Sequence, residues 1–289
     1  MANPHDFTTR TPPTWCPGCG DFGIWVALRT ALVGAGLDPA QVQIVYGIGC
    51  SGNMASFVHA YGFHALHGRS LPVATGIRLA NPNLPVICVA GDGDTYGIGV
   101  GHLVHAARRN LDIVMLVHDN QVYGLTKGQT SPTSPHGFKS DSTPEGAIEL
   151  PENPLAVALS AGATFVARGF AANADHLAGL IRQGLDHRGF ALIDVLQPCV
   201  TFNHLQTYQW FYDRVAYLDG SSHDAHNRAD AWKLTQAGAS MSGTERIPVG
   251  LLYQERRPTY EEQVTELAAG PLAARAATRD ISALFESFR

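Results

Sequence analysis

Two short apolar runs, Val86-Ile87-Cys88-Val89-Ala90 and Ile113 to Val117, bracket a helical pattern that extends from Tyr96 to Arg109. Each run is strand-sized and breaks at turn chemistry, the first at Gly91-Asp92-Gly93-Asp94 and the second at Asp119-Asn120. A strand, a helix and a second buried strand make a parallel crossover, and parallel strands end on one edge of their sheet. Asp92 and Asn120 are therefore expected side by side, at the edge where open α/β sheets hold ligands. A carboxylate, an amide oxygen and a backbone carbonyl suit Mg²⁺, which completes its octahedron with phosphate and water. The glycines around Asp92 let a diphosphate approach the backbone, and the next helix offers its first amides. Glycines beside a merely structural acid are the plainer reading of a lone Gly-Asp-Gly.

The same rhythm runs through most of the chain. Val42 to Tyr46 reads as a buried strand ending in Gly47-Ile48-Gly49-Cys50-Ser51-Gly52-Asn53. The segment from Tyr61 to Arg69 then leads to Ala74-Thr75-Gly76, which opens a helix through Leu79-Ala80. Beyond the central unit, residues 134–154 are polar and rich in Pro and Gly, a loop long enough to be functional. A helix near Pro154–Ala161, a strand Thr164–Ala167, a helix Asp175–His187 and a strand Ala191–Leu196 follow, the last delivering Gln197-Pro198-Cys199. Alternating helices and apolar strands predict an α/β fold, a doubly wound, mainly parallel sheet covered on both faces. From about Val200 the rhythm is lost. Asp224–Ala239 reads as a polar helix, Ile247–Tyr253 as one further strand, and Tyr260 to Arg289 as mostly helical. The expected organisation is one domain over residues 1–200 and an extension over 201–289 that packs on the domain or on a partner. Residues 1–14 read as an extended, Pro-interrupted arm.

A net charge of −5 and the lack of a long basic run give no footing for nucleic acid or an anionic membrane. No apolar stretch reaches the roughly 18 residues of a membrane helix, and the start of the sequence has no signal-peptide pattern. A cytoplasmic protein is the expectation. There are five cysteines, an odd number that argues against a disulfide framework in a reducing compartment. Cys88 lies inside an apolar strand and reads as core. The pair Cys16-x-x-Cys19 admits a redox couple, half of a metal site, or two unbonded thiols in a turn. Cys50 and Cys199 each stand singly at a strand end. Four thiolates suit either zinc or a cubane iron–sulfur cluster, and the single spacing of two of them leans toward the cluster.

These residues carry a resemblance. The Gly-Asp-Gly, the interval to an Asn-ended pair and the pair itself look like the thiamine diphosphate motif of thiamine-dependent enzymes, with Asp119 where the familiar pair has Asn. Further motifs narrow it: Trp15-Cys16-Pro17-Gly18-Cys19-Gly20-Asp21, Gly47 to Ser51, Tyr61 to Arg69, Ala80-Asn81-Pro82, Tyr123 to Thr133, and Cys199-Val200-Thr201-Phe202-Asn203. Together they are similar to the β subunits of two-subunit 2-oxoacid:ferredoxin oxidoreductases, over residues 15 to about 215.

The resemblance implies a set of roles. Cys16, Cys19, Cys50 and Cys199 would hold one 4Fe–4S cluster, and Asp92, Asn120 and the carbonyl of Val122 would hold Mg²⁺. Thiamine diphosphate would be contacted by Ile48-Gly49-Cys50-Ser51, by His67 and by Gly91-Asp92-Gly93-Asp94. Asn120, Val122, Gly124, Leu125 and Thr126 would complete that site. His67 is favoured over His64 by the resemblance alone. Lys127 is the candidate partner of a substrate carboxylate, Lys127 and His67 are the catalytic candidates, and Asn53 and Leu125 would shape the substrate pocket. The implied activity is coenzyme A-dependent oxidative decarboxylation of a 2-oxoacid, with electrons leaving through the cluster to ferredoxin, or the reverse carboxylation. The leaning is to 2-oxoglutarate or a broad range. A pyruvate-specific member, or a non-oxidative thiamine-dependent decarboxylase or synthase with a structural metal, is the alternative. Thiamine enzymes also need a pyrimidine-binding module, which this chain lacks, so an α subunit in an αβ or α₂β₂ assembly is expected to complete the site.

Overall fold

The computed structural model describes residues 3–220, 223–275 and 282–288. Helix α1 (Asp21–Gly34) precedes strands β1 (Gln43–Tyr46) and β2 (Tyr61–His64). Helix α2 (Ser70–Ala80), strand β3 (Val86–Gly91), helix α3 (Val100–Arg109) and strand β4 (Val114–Asp119) form the central unit. A two-strand hairpin, β5 (Val122–Tyr123) and β6 (Gln129–Thr130), follows directly. Helix α4 (Pro154–Ala161), strand β7 (Phe165–Phe170), helix α5 (Ala174–Asp186) and strand β8 (Ala191–Leu196) resume the alternation. Helix α6 (Tyr208–Tyr212), strand β9 (Val215–Tyr217), helix α7 (Arg228–Gln236) and strand β10 (Ile247–Gln254) lead to short C-terminal turns.

Eight strands make one sheet in the order β2-β1-β3-β4-β8-β7-β10-β9. All neighbouring pairs are parallel except β10 against β7. The doubly wound, mainly parallel α/β sheet expected from the apolar rhythm is present. After β1 the chain first moves outward to β2 and then returns to the other side of β1 for β3. That reversal opens a crevice between β1 and β3 at their carboxyl ends, the position where such sheets bind ligands.

Alternate residues of each strand serve opposite faces, because successive side chains in a strand point to opposite sides. Ile87 and Val89 pack with Ile24, Leu28 and Leu32 of α1 and with Leu177 and Ile181 of α5. Val86, Cys88 and Ala90 pack with Leu71, Leu103 and Leu155 of the other helical layer. Cys88 is a fully buried core residue, as its apolar neighbours imply.

The local differences from expectation have identifiable causes. The helix expected to start at Tyr96 is instead a π-helical turn, Gly93–Ile98, broken at Gly97 (ψ −110°) before α3 begins at Val100. Such widened turns recur at functional sites because they re-aim side chains within a helix. The strand expected to end at Ala167 continues to Phe170, paired throughout with β8. The N-terminal arm is anchored: Phe7 is fully buried, Thr8 bridges to Val58, and Arg29 donates to Thr8 Oγ1 at 2.6 Å. The polar helix expected over 224–239 is confined to α7, whose start is set by the Asn227 side chain accepting from Ala229 and Asp230 N–H. After Tyr260 the described chain holds only short helical pieces, Tyr260–Gln263 and Ser282–Glu286, with 3₁₀ turns between. Residues 276–281 and 289 of that expected helix lie outside the described residues. Residues beyond 200 supply β9 and β10 to the main sheet, and a small core of Phe170, Leu196, Phe211, Ile247 and Val249 ties them in.

Candidate functional site

The carboxyl ends of β1, β3 and β4 line a solvent-open cleft of about 620 Å³. Ile48, Gly49, Cys50 and Ser51 reach it from the turn after β1, and Gly91, Asp92, Gly93 and Asp94 from the end of β3 and the π-turn. Asn120 enters from the end of β4, and Val122, Gly124, Leu125 and Thr126 from the hairpin. His67 closes the side nearest β2. Every residue named above from the resemblance as a thiamine diphosphate contact lines this one cleft.

Asp94 is its mechanical centre. Its Oδ1 accepts from the Ile48 N–H (2.8 Å), the Gly68 N–H (3.0 Å) and His67 Nδ1 (3.0 Å), so one carboxylate oxygen ties three loops. His64 does something different: its Nε2 lies 2.9 Å from the Gly47 carbonyl, a loop-supporting contact.

Asp92 is held on the opposite side. Its Oδ2 accepts from Ser131 Oγ (2.5 Å) and Thr133 Oγ1 (2.8 Å), and Thr133 Oγ1 is also 2.7 Å from Asp119 Oδ1. Burial pushes the Asp92 carboxyl up to about 6, against the hydrogen bonds from Ser131, Thr133 and the Gly93 N–H. Burial, then Asp194 and Asp92, hold Asp119 well above the usual carboxylate range. Thr133 has a single hydroxyl proton to share between the two carboxylates, which adds to the tendency of this buried pair to hold a proton. Beneath the pair, Asp194 accepts from Tyr96 Oη (2.8 Å) and Arg168 Nε (3.4 Å).

Asn120 is oriented at both ends of its amide. Its Oδ1 accepts from the Val122 N–H at 3.1 Å and its Nδ2 donates to Gln197 Oε1 at 3.1 Å. Tyr123 lies over the Asp92 loop and donates to the Gly93 carbonyl at 3.2 Å. A Cβ at position 93 would fall 2.2 Å from that ring, so this backbone can sit under Tyr123 only as glycine.

A second cleft adjoins the first and is lined by Cys16, Cys19, Cys50 and Cys199 together with Trp15, Asn53, Asn120, Gly124 and Gln197. The three separated pieces of sequence that carry these thiols are therefore brought together. Gly124 is the partition: a Cβ there would lie 3.5 Å from Cys50 Sγ and 3.7 Å from Cys199 Sγ. Burial, then Asp21 and Cys199, pushes the Cys50 thiol up to about 12. Burial and the Asp21 carboxylate also raise Cys19, and burial raises Cys199 against backbone N–H groups of Phe202, Thr201 and Asn203 that favour its thiolate. Among the described residues no three His, Cys, Asp or Glu side chains are gathered to hold a single metal ion. Asn53 lines the cysteine cleft, while Lys127 is exposed on the hairpin turn at φ 87° and lines neither cleft.

Comparison with known proteins gives the same direction. The family described as thiamine pyrophosphate enzyme, C-terminal TPP binding domain, matches residues 47–195. Residues 199–269 match the C-terminal region of the pyruvate ferredoxin oxidoreductase β subunit. The β subunit of 2-oxoacid:ferredoxin oxidoreductase 2 from Aeropyrum pernix is 44% identical over 96% of this chain and 91% of its own length. The chain belongs to the β subunits of the 2-oxoacid:ferredoxin oxidoreductases. The corresponding subunit from Saccharolobus solfataricus is 48% identical over 87% of this chain and 85% of its own. A solved 2-oxoglutarate:ferredoxin oxidoreductase from Magnetococcus marinus, with 2-oxoglutarate, coenzyme A and succinyl-CoA bound, superposes with a TM-score of 0.90 at 37% identity. That match covers all of this chain and 96% of the other. No described helix of the β subunit is long and apolar enough to cross a membrane.

Several side chains of the site are not singled out by sequence reasoning. Ser131 and Thr133 lie in the hairpin motif, and their role as Asp92 donors depends on the fold. His118 and Tyr123 line the first cleft. His118 Nδ1 is 2.5 Å from Asp21 Oδ1, a buried pair joining β4 to the helix beside the cysteines. Gln197 lines the second cleft and is hydrogen-bonded to Asn120, which lines both.

Proposed function

We propose that this β subunit carries the thiamine diphosphate, Mg²⁺ and 4Fe–4S sites of a 2-oxoacid:ferredoxin oxidoreductase whose α subunit completes the active centre. The observation that carries this reading is the shared wall. Asn120 and Gly124 line both the cleft with Asp92 and the cleft with the four cysteines.

The residues fit the groups they would hold. Among the described residues no Lys or Arg lines the first cleft, so a diphosphate there needs a divalent cation and backbone donors for its charge. Asp92, Asn120 and the Val122 carbonyl would supply oxygen ligands, and a cation would relieve the burial that lifts the Asp92 carboxyl. Ser51 Oγ is buried in the protein without a partner and lines the cleft as a donor for an anion. Four thiols around a cleft wider than a single-ion site suit a 4Fe–4S cluster through Cys16, Cys19, Cys50 and Cys199. When bound, thiamine diphosphate supplies the electron sink for decarboxylation, and the cluster supplies a one-electron exit toward ferredoxin.

The chain's own residues hold and exclude. Asp94 locks His67 and the Ile48 turn, and Tyr123 covers the Asp92 loop from solvent. Lys127 would meet the carboxylate of a 2-oxoacid if the hairpin turn closed over the cleft, and Asn53 and Leu125 would bound the pocket. Ile48 and Leu125 are exposed at the mouth, Tyr61 and Phe63 are exposed on β2, and Leu66 is exposed just after it. An apolar rim and an unpaired sheet edge of this kind call for a covering partner, here the α subunit with its pyrimidine-binding module. Cys16 is exposed, which would bring one edge of the cluster near the surface used by ferredoxin. The similar proteins, named for 2-oxoacids in general or for 2-oxoglutarate, favour 2-oxoglutarate or a broad 2-oxoacid range, with coenzyme A taking the acyl group. Domain limits of 1–200 for the cofactor-binding part and 201–289 for the extension accompany this reading.

The test is anaerobic co-expression with the α subunit, followed by iron, sulfide and thiamine diphosphate analysis. About four irons and one thiamine diphosphate per αβ pair are expected, with ferredoxin reduction on adding coenzyme A and a 2-oxoacid from a panel. Zinc in place of iron, with thiamine diphosphate still bound, would overturn the oxidative reading.

A further inference from the structure

One buried side chain touches both halves of the site. Gln197, 1% exposed, follows β8, and its backbone N–H donates to the Asp119 carbonyl at 3.0 Å, which fixes where its side chain begins. Its Oε1 accepts from Asn120 Nδ2 at 3.1 Å and its Nε2 donates to Cys19 Sγ at 3.2 Å. The stem lies against Gly20, where a Cβ would come within 2.7 Å of Gln197 Cγ, and the Gly20 N–H donates to the neighbouring Pro198 carbonyl at 3.1 Å. A glycine in the Cys-x-x-Cys-Gly turn thus leaves room for this amide to reach the sulfur.

We propose that Gln197 is a positioning residue that couples the two cofactor sites, donating an N–H···S bond to Cys19 while holding the Asn120 amide with its oxygen turned toward the metal. The inference rests on the reading that Cys19 ligates an iron–sulfur cluster and Asn120 a divalent cation. Reduction makes the sulfurs of a cluster more negative, so a hydrogen bond to a ligand sulfur strengthens in the reduced state and raises the potential. The amide cannot rotate without exchanging both contacts, since its oxygen would then face the sulfur and its NH₂ would face the Asn120 NH₂. Rotation is therefore opposed at both ends. The same fixed amide makes the orientation of Asn120 depend on Cys19 being in place.

The experiment uses the αβ complex, purified anaerobically, with Gln197→Met and Gln197→Glu. Met keeps the length and loses both contacts. Glu keeps an acceptor for Asn120 and has no amide N–H for Cys19. The first readout is the cluster midpoint from an EPR-monitored redox titration. The second is the affinity for thiamine diphosphate with Mg²⁺, by calorimetry. Gln197→Met is expected to reduce the reduced-to-oxidised ratio at fixed poise about tenfold, a fall of about 59 mV for one electron. It is also expected to weaken cofactor binding severalfold, whereas Gln197→Glu recovers the binding without recovering the potential. Cluster present in all three proteins with unchanged midpoints would overturn the proposal. Lowered midpoints with Gln197→Met binding the cofactor as tightly as wild type would overturn the coupling to Asn120. A wild-type complex without iron would overturn the underlying reading itself, a different result from either.

Discussion

Gly93 offers the sharpest test of how the cofactor cleft is built. In Gly93→Ala the new methyl would sit 2.2 Å from Tyr123 Cε1, 2.6 Å from Cζ and 2.7 Å from Cδ1. An ordinary carbon–carbon contact is about 3.5 Å, so ring and backbone must separate by roughly 1.3 Å. The ring is rigid, is tied to the Gly93 carbonyl by its hydroxyl, and lies on the strand that carries the Val122 carbonyl. Overpacking of this kind costs about 1–3 kcal/mol. Expressed in binding, that is about a 5- to 150-fold loss of affinity for thiamine diphosphate with Mg²⁺. Expressed in stability, it is a fall in melting temperature of roughly 2–10 °C. Calorimetric titration and a thermal melt of the αβ complex read the two quantities. Gly101→Ala is the control: it lies in α3, its Cβ would meet nothing within 4 Å, and it should stabilise by about 1 kcal/mol. A Gly93→Ala protein with affinity within twofold of wild type and an unshifted melt would refute the argument that Tyr123 is seated on a glycine.

Other consequences follow from the electrostatics and the backbone. Asp92 titrates near 6 in the folded chain against 3.8 ordinarily, so between about pH 4 and 6 the folded state holds a proton that the unfolded state has released. Its contribution to stability therefore falls as pH rises through that window, and in EDTA the advantage of Asp92→Asn over wild type should grow by about 2 kcal/mol from pH 4 to 7. A pH-independent difference would contradict this. Lys127 has φ 87° and is exposed, so Lys127→Gly should stabilise by about 1 kcal/mol. If Lys127 meets substrate, the same variant raises KM for the 2-oxoacid, and an unchanged KM would remove it from the binding site. Buried Arg78 pairs with Asp112 at 2.5 Å and Glu261 at 2.8 Å. Arg78→Met leaves buried Glu261 without its ion-pair partner and Asp112 with only Arg188, 2.9 Å away, and should cost about 3–5 kcal/mol in denaturant titration, with the cleft at the other end of the sheet unaffected.

Much of the site was legible because its signals are local. An apolar strand that ends in Gly-Asp-Gly, or in an Asn before a polar hairpin, announces a strand end from a few adjacent residues. Parallel geometry then brings those ends to one edge, as Asp92 and Asn120 are brought here. The four cysteines could be counted and assigned to turns in the same way. The parts that escaped are weak or distant. Strand β2 has only four residues, one of them glycine, and is exposed at every position, so burial gives it no signal. Strand β9 has only three residues, and the π-turn at Gly93–Ile98 comes from close packing that no period of 3.6 reveals.

The sequence by itself determined the fold class, the edge where ligands bind and the kinds of donor found there, because strand endings and donor chemistry are properties of neighbouring residues. Only the tertiary structure decided that Cys16, Cys19, Cys50 and Cys199 face one cleft, that Thr133 is shared between Asp92 and Asp119, and that Gln197 spans Asn120 and Cys19. Those contacts join residues far apart in the chain, and their side-chain directions follow from packing that exists only once the sheet and its helices have closed around them.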